Sequence, residues 1–223
     1  MSRVVVKVGG AVAEGSAVGT ILDLADAGHE VCVVHGAGPQ ISAEMERFGL
    51  EVEFVNGRRV TTPAVLTLVR LSFERVNREL CAALGVLAVG LWGDEVGLHA
   101  VQVPALGLVG DPLPCRPPAI EAALAARKIP VVAPLGVGPL NVNADEASAA
   151  LAIGLAADEL LFLTDVPGVL LEDAVVGTIG AAEAEGLLGA GRFQGGIVPK
   201  LYAAVRAAKL GVHARIGETA VTA

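Results

Sequence analysis

Residues 4–12 read VVVKVGGAV. A run of β-branched residues ended by paired glycines marks a short strand covered on both faces, stopping where the backbone must come close to something. Lys7 interrupts that run with a cation. Burying an ammonium is costly unless an opposite charge meets it, so the end of this strand is expected to face an anion. Gly9 and Gly10 then remove the side chains that would hold the anion away from the backbone.

The same punctuation recurs along the chain. Arg3–Val8, Glu30–His35, Val86–Trp92, Ile129–Pro134 and Leu160–Leu163 read as strands. Between them, Ala17–Ala27, Pro39–Phe48, Pro63–Leu84, Ala119–Arg127, Asp145–Ala157, Ala181–Leu188 and Pro199–Leu210 have helical composition and spacing. Alternation of this kind predicts an α/β fold, a three-layer sandwich around a mostly parallel sheet. Glu51–Val55 and Arg59–Thr61 flank Asn56-Gly57, a turn signal that predicts a small projecting β-ribbon.

Composition narrows the classes. With 223 residues, 53% of them hydrophobic, the chain is long enough to bury a large core, and one domain of two lobes is expected. No apolar run approaches the ~18 residues of a membrane span, and no charged-then-apolar leader precedes the first strand. Cys32, Cys81 and Cys115 form no CxxC pair and have no histidines at metal-ligand spacing; they read as reduced thiols of a cytoplasmic protein. A net charge of −8 and 3% aromatic residues argue against nucleic acid, which asks for a basic footprint.

In open α/β sheets ligands gather beyond the carboxyl ends of the strands, and four loops there carry unusual residues. Gly9-Gly10 follows the first strand, and His35-Gly36-Ala37-Gly38-Pro39-Gln40 leads from the second into a helix. Such turns present backbone N–H groups to a phosphate or carboxylate, or serve tight packing alone. In the third, Asn141-Val142-Asn143-Ala144-Asp145, Asn143 or Asp145 can cap the following helix. The alternation puts Asn141 and Asn143 on one side, available to a polar ligand, with Asp145 able to orient a cation. The fourth, Gln194-Gly195-Gly196-Ile197-Val198-Pro199-Lys200, places Pro199 at the first helical position and Lys200 in the first turn. The helix dipole disfavours a cation there unless an anion neutralises it. No Gly-Lys dipeptide, GxGxxG after a strand, HExxH or GxSxG is present, so the usual nucleotide and hydrolase signatures are missing.

Taken in order, KVGG (7–10), VHGAGPQI (34–41), NGRRVT (56–61), VGLWGDEVGL (89–98), IPVVAPLGVG (129–138), NVNADEASAALA (141–152), LTDVPGVL (163–170) and QGGIVPKL (194–201) resemble the amino acid kinase family. The resemblance is collinear and spans nearly the whole chain. It implies the carbamate kinase-like fold, with an acceptor-binding and dimerising lobe over about 1–150 and a nucleotide lobe over about 151–223. Within the family, the motifs are similar to members that phosphorylate the side-chain carboxylate of N-acetyl-L-glutamate with ATP and Mg²⁺, a step of arginine biosynthesis. Members acting on a carrier-linked glutamate or aminoadipate, and catalytically weak regulatory members, are the alternatives.

By that resemblance Lys7 and Lys200 contact the phosphoryl chain from two sides and Asp145 holds both. Gly9, Gly10, Thr164, Asp165, Gly168, Gly195 and Gly196 fall to the nucleotide. Gly36, Ala37, Gly38, Arg59, Asn141 and Asn143 fall to the acceptor, Arg59 on its α-carboxylate, and Arg58 is a solvated neighbour. Mg²⁺ rides on the ATP phosphates with no protein metal site. Departures from the family pattern are expected to matter. Ala37 replaces a glycine and would be strained at positive φ, and Glu74 stands on the helix expected to form a homodimer. The run from Val212 to Val221 lacks an inserted helix, which would trim the nucleotide lobe. The absence of a helix before the first strand goes with a dimer rather than an arginine-sensitive hexamer.

Overall fold

The computed structural model describes residues 1–9, 16–164, 166–172 and 174–223. In chain order the first elements are β1 (Arg3–Val8), α1 (Ser16–Asp26), β2 (Glu30–His35), α2 (Gly38–Arg47), β3 (Phe54–Val55) and β4 (Arg58–Arg59). Then come α3 (Pro63–Leu84), β5 (Ala88–Trp92), α4 (Gly93–Val96), β6 (Ala100–Gln102), β7 (Val109–Pro112), α5 (Pro118–Ala125), β8 (Ile129–Ala133), β9 (Leu135–Gly136) and β10 (Leu140–Val142). The rest are α6 (Ala144–Gly154), β11 (Glu159–Leu163), β12 (Leu170–Leu171), β13 (Ala174–Val175), β14 (Thr178–Gly180), α7 (Ala181–Gly189), α8 (Ile197–Lys209), β15 (His213–Ile216) and β16 (Thr219–Thr222).

Eight strands form the main sheet in the order β14-β16-β15-β11-β1-β2-β8-β5. All neighbours run parallel except β15 and β16. Because β1 lies between β2 and β11, strands from the first part of the chain extend to one side of it and later strands to the other. The crevice at such a reversal is where open α/β sheets collect ligands. The alternation of β1 sorts its side chains. Val4, Val6 and Val8 pack with Ile21 of α1 and Leu80 of α3 on one face; Val5 packs with the cluster of Leu151 of α6 and Leu201 of α8 on the other. By the same period of two, Lys7 shares the α6 and α8 face. Among the described residues no helix is long and apolar enough to cross a membrane.

The sequence-based boundaries hold at the strongest elements. The side chain of Thr62 accepts from Val65 N at the start of α3, Pro63 opens its first turn, and Gly85 ends it at φ +65°. Asn56 and Gly57 take φ +51° and +77°, as the hairpin turn requires. Elsewhere the elements shift. The strand expected from Val86 begins at Ala88, because Gly85–Leu87 completes the helix end as a 3₁₀ turn. Pro199 is the third residue of α8 rather than the first, where its missing N–H is still among those a helix start leaves unpaired. A second sheet in the order β6-β7-β10-β9 is unanticipated, its strands being two to four residues long and too short to show a period. The segment from Val212 to Val221 folds as the β15–β16 hairpin, turning at Gly217 with φ +55°.

Candidate active site

Lys7, at the carboxyl end of β1, and Asp145, in the first turn of α6, meet at 2.9 Å between Nζ and Oδ1, with side chains only 7% and 6% exposed. The contact is a buried ion pair. The other oxygen, Oδ2, lies 3.6 Å from Lys200 Nζ on α8. One buried carboxylate thus gathers two ammonium groups, one from β1 and one from α8. Asn143 aims α6, its side-chain oxygen accepting from the backbone N–H groups of Asp145 and Glu146, the capping arrangement of a helix start.

A cavity of about 220 Å³ opens on the Lys7 side, lined by Gly36, Ala37, Gly38, Arg59, Asn141, Asn143 and Asp145 among others. Arg59 is 5% exposed. Its guanidinium donates to Gly38 O at 3.1 Å and Ser42 Oγ at 2.8 Å, approaches Met45 Sδ, and lies over the Phe54 ring. All four partners are neutral, and no carboxylate among the described residues pairs with it. Burial lowers its pKa from the ordinary arginine value; a group that cannot deprotonate in this environment instead calls for an anion. Asn141 is oriented by its Nδ2, which donates to Thr61 Oγ1 at 2.9 Å. Asn143 Nδ2 donates to Gly57 O at 2.9 Å, so both ends of this amide are engaged within the chain.

The Gly36–Gly38 turn enters α2 with Ala37 as the residue before the helix and without a side-chain cap. Gly38 and Pro39 at the start of α2 line the cavity, and a helix start is a setting suited to an anion. Ala37 sits at φ −145°, so the expected strain of an alanine there is absent. Its methyl is buried with Ile41 and Met45. Behind the turn, His35 is wholly buried. Asn77 Nδ2 donates to its Nε2 at 3.1 Å, which puts the ring proton on Nδ1, facing Gly36 O at 3.4 Å. Burial holds its pKa down at about 4, against a smaller upward pull from the Gly36 carbonyl.

On the Lys200 side a larger cavity of about 530 Å³ is lined by Thr164, Pro167, Gly168, Phe193, Gln194 and Gly196 among others. The terminal hairpin holds the segment behind it: Val169 N donates to Thr219 Oγ1 of β16, which donates in turn to Val176 O, and Glu218 N donates to Pro167 O. The short terminal hairpin therefore braces this cavity directly.

The structure brings Lys7, Asp145, Arg59, Asn141, Asn143 and the Gly36–Gly38 turn to one cavity, and Thr164, Gly168, Gly196 and Lys200 to the other. Gly9 follows β1 at the crevice, and Gly195 turns into α8 at φ +67°. Gly10 and Asp165 lie outside the described residues. Phe54, Ser42 and Met45 around Arg59 carry no sequence signal, since only the fold brings them together. Arg58, expected in solvent, instead pairs with Glu146 and Asp111. Among the described residues no group of three or more His, Cys, Asp or Glu could hold a metal ion.

The chain is similar to known proteins in sequence and in fold. The family model described as "Amino acid kinase family" matches residues 2–218. An acetylglutamate kinase of Rubrobacter xylanophilus is 43% identical, over 97% of this chain and 88% of that protein. One of Geobacillus thermodenitrificans is 36% identical, over 92% and 85%. A crystal structure of a Streptococcus mutans protein superposes with a TM-score of 0.91 at 31% identity, covering 99% of this chain and 98% of that one. On sequence and fold alike, the chain belongs to the amino acid kinase family.

Proposed function

We infer that the protein transfers the γ-phosphoryl group of ATP to the side-chain carboxylate of N-acetyl-L-glutamate, giving the acyl phosphate and ADP, as an enzyme of amino-acid biosynthesis. The observation that carries this is the placement of Lys7 and Lys200 on the two oxygens of Asp145, one beside each cavity. Phosphoryl transfer asks the protein for alignment and charge stabilisation rather than covalent help. The acceptor belongs in the smaller cavity with its α-carboxylate on Arg59, whose buried guanidinium has only neutral neighbours. The nucleotide belongs in the larger one, the chain on that side forming the nucleotide lobe.

An acceptor oxygen then attacks the γ-phosphorus as the bond to the β-phosphate oxygen breaks, and the electron pair leaves with ADP. The acceptor carboxylate is already ionised at neutral pH, so no general base is needed. Lys7 and Lys200 meet the charge on the transferring and leaving oxygens. The start of α2 lines the same cavity as the acceptor. Mg²⁺ enters with the nucleotide, as the Mg·ATP substrate. The free thiols suit a reducing cytoplasm. The long helix α3, with Leu71 and Glu74 exposed, is the surface we assign to a two-fold homodimer.

Hydroxylamine trapping of acyl phosphate tests the substrate. With Mg·ATP, N-acetyl-L-glutamate should give hydroxamate, and L-glutamate, L-aspartate and carbamate should not. A free ammonium would bring unpaired charge into a site fitted to an amide. Equal rates with L-glutamate would overturn the assignment.

A further inference from the structure

Arg58 takes no part in the chemistry above, yet it ties together the elements that carry it. Its Nε donates to both oxygens of Glu146 at 2.9 and 3.0 Å, and its Nη2 to Asp111 Oδ1 at 2.9 Å. Arg58 and Glu146 side chains are 20% and 19% exposed, well short of the solvated pairs that contribute little. The planar fork fixes an angle as well as a distance. The pair thus links β4 to the first turn of α6, and the Asp111 contact adds β7.

Each linked element bears a group of the acceptor cavity close by, or pairs with a strand that does. Arg59 follows Arg58 on β4, Asp145 precedes Glu146 on α6, and Asn141 of β10 is in register with Val109 of β7. The tip of the hairpin is held on the same side: Asn143 donates to Gly57 O, and a Cβ on Gly57 would stand 3.3 Å from Pro199 Cβ in the first turn of α8. Nothing else among the described ion pairs joins the hairpin to α6.

We propose that Arg58 and Glu146 are positioning residues: their ion pair sets the place of Arg59 relative to the lysines on Asp145, and so sets affinity for the acceptor. This rests on the assignment of Arg59 to the acceptor carboxylate. Without the pair, the hairpin keeps its turn but Arg59 no longer meets the carboxylate at a fixed angle. Binding of the acceptor weakens, and binding of the nucleotide, in the other cavity, does not.

The test compares Arg58→Met, Glu146→Gln, their double variant and Arg58→Lys, on steady-state kinetics and on amide hydrogen exchange across residues 54–59. Each single variant should raise acceptor KM about tenfold, the scale of one charge-assisted bond, with KM for ATP held within about twofold. The double variant should match the singles rather than multiply them, because the first change already removes the pair. Arg58→Lys should recover part of the loss, and hairpin amides should exchange faster in both singles. Multiplying effects, an equal rise in KM for ATP, or unchanged hairpin exchange would overturn the proposal. If the unaltered protein makes no acyl phosphate from N-acetyl-L-glutamate, the substrate assignment fails by itself, and hairpin exchange still decides the tie.

Discussion

Lys7 and Asp145 form a buried ion pair, 2.9 Å apart, between the end of the central strand and the start of the helix that crosses behind it. The position explains a lysine among valines. The ammonium is held in an apolar surround by a carboxylate that also faces Lys200 at 3.6 Å, leaving the two cations to share an arriving anion.

Asp145→Asn should therefore destabilise the protein by about 3–5 kcal/mol, the cost of leaving a buried charge without its partner. Mg·ATP brings negative charge to the same place. The rise in Tm on adding Mg·ATP should be larger in the variant than in the unaltered protein. An unchanged Tm without nucleotide would show that Asp145 does not stabilise Lys7.

His35 gives a pH dependence of stability. Its folded pKa is held down at about 4, whereas the unfolded chain takes up the proton near the ordinary value of about 6.5. Between those values the unfolded state binds more protons, so stability falls as the pH is lowered. The full shift corresponds to about 3 kcal/mol, reached near and below pH 4. Urea midpoints measured at pH 7 and pH 4.5 should fall less steeply for His35→Gln than for the unaltered protein. Parallel pH slopes would rule this out.

Gly217 and Gly211 separate conformational cost from collision. Both have positive φ, +55° and +86°, but a Cβ at Gly217 would lie 2.3 Å from Pro167 O, whereas one at Gly211 meets nothing within 4 Å. Gly211→Ala should cost about 1 kcal/mol. Gly217→Ala should cost clearly more and raise KM for ATP, because Pro167 lines the cavity we assign to the nucleotide. Equal thermal shifts and an unaltered KM for ATP would contradict the bracing role of the terminal hairpin.

Much of the fold is legible in the sequence where local signals agree. In β1, β2 and α3, β-branched runs, capping residues and glycine stops point the same way, and Arg3–Val8, Glu30–His35 and Pro63–Leu84 match residue for residue. The second sheet is hidden because strands such as Leu135–Gly136 are defined by their partners, not their own residues. Lys7 is visible as a local contradiction, a charge inside a strand. Arg58 is not: its carboxylate partners, Asp111 and Glu146, come from distant segments, and nothing near Arg58 in the chain separates a paired arginine from a solvated one. The effect of Ala37 depends on its φ, which the sequence does not fix.

The central claim is that Lys7 and Lys200 act on the transferring phosphoryl group while Arg59 binds the acceptor. Steady-state kinetics of Lys7→Met, Lys200→Met and Arg59→Met, with both substrates varied and folding verified by circular dichroism, tests it most directly. The lysine variants should lose roughly 10²-fold or more in kcat, as when a preorganised donor to the transition state is removed. Arg59→Met should mainly raise acceptor KM, by about 10- to 100-fold for a lost charge-assisted bond of ~1.5–3 kcal/mol. A fall in kcat for Arg59→Met as deep as for the lysine variants, with acceptor KM unchanged, would contradict it.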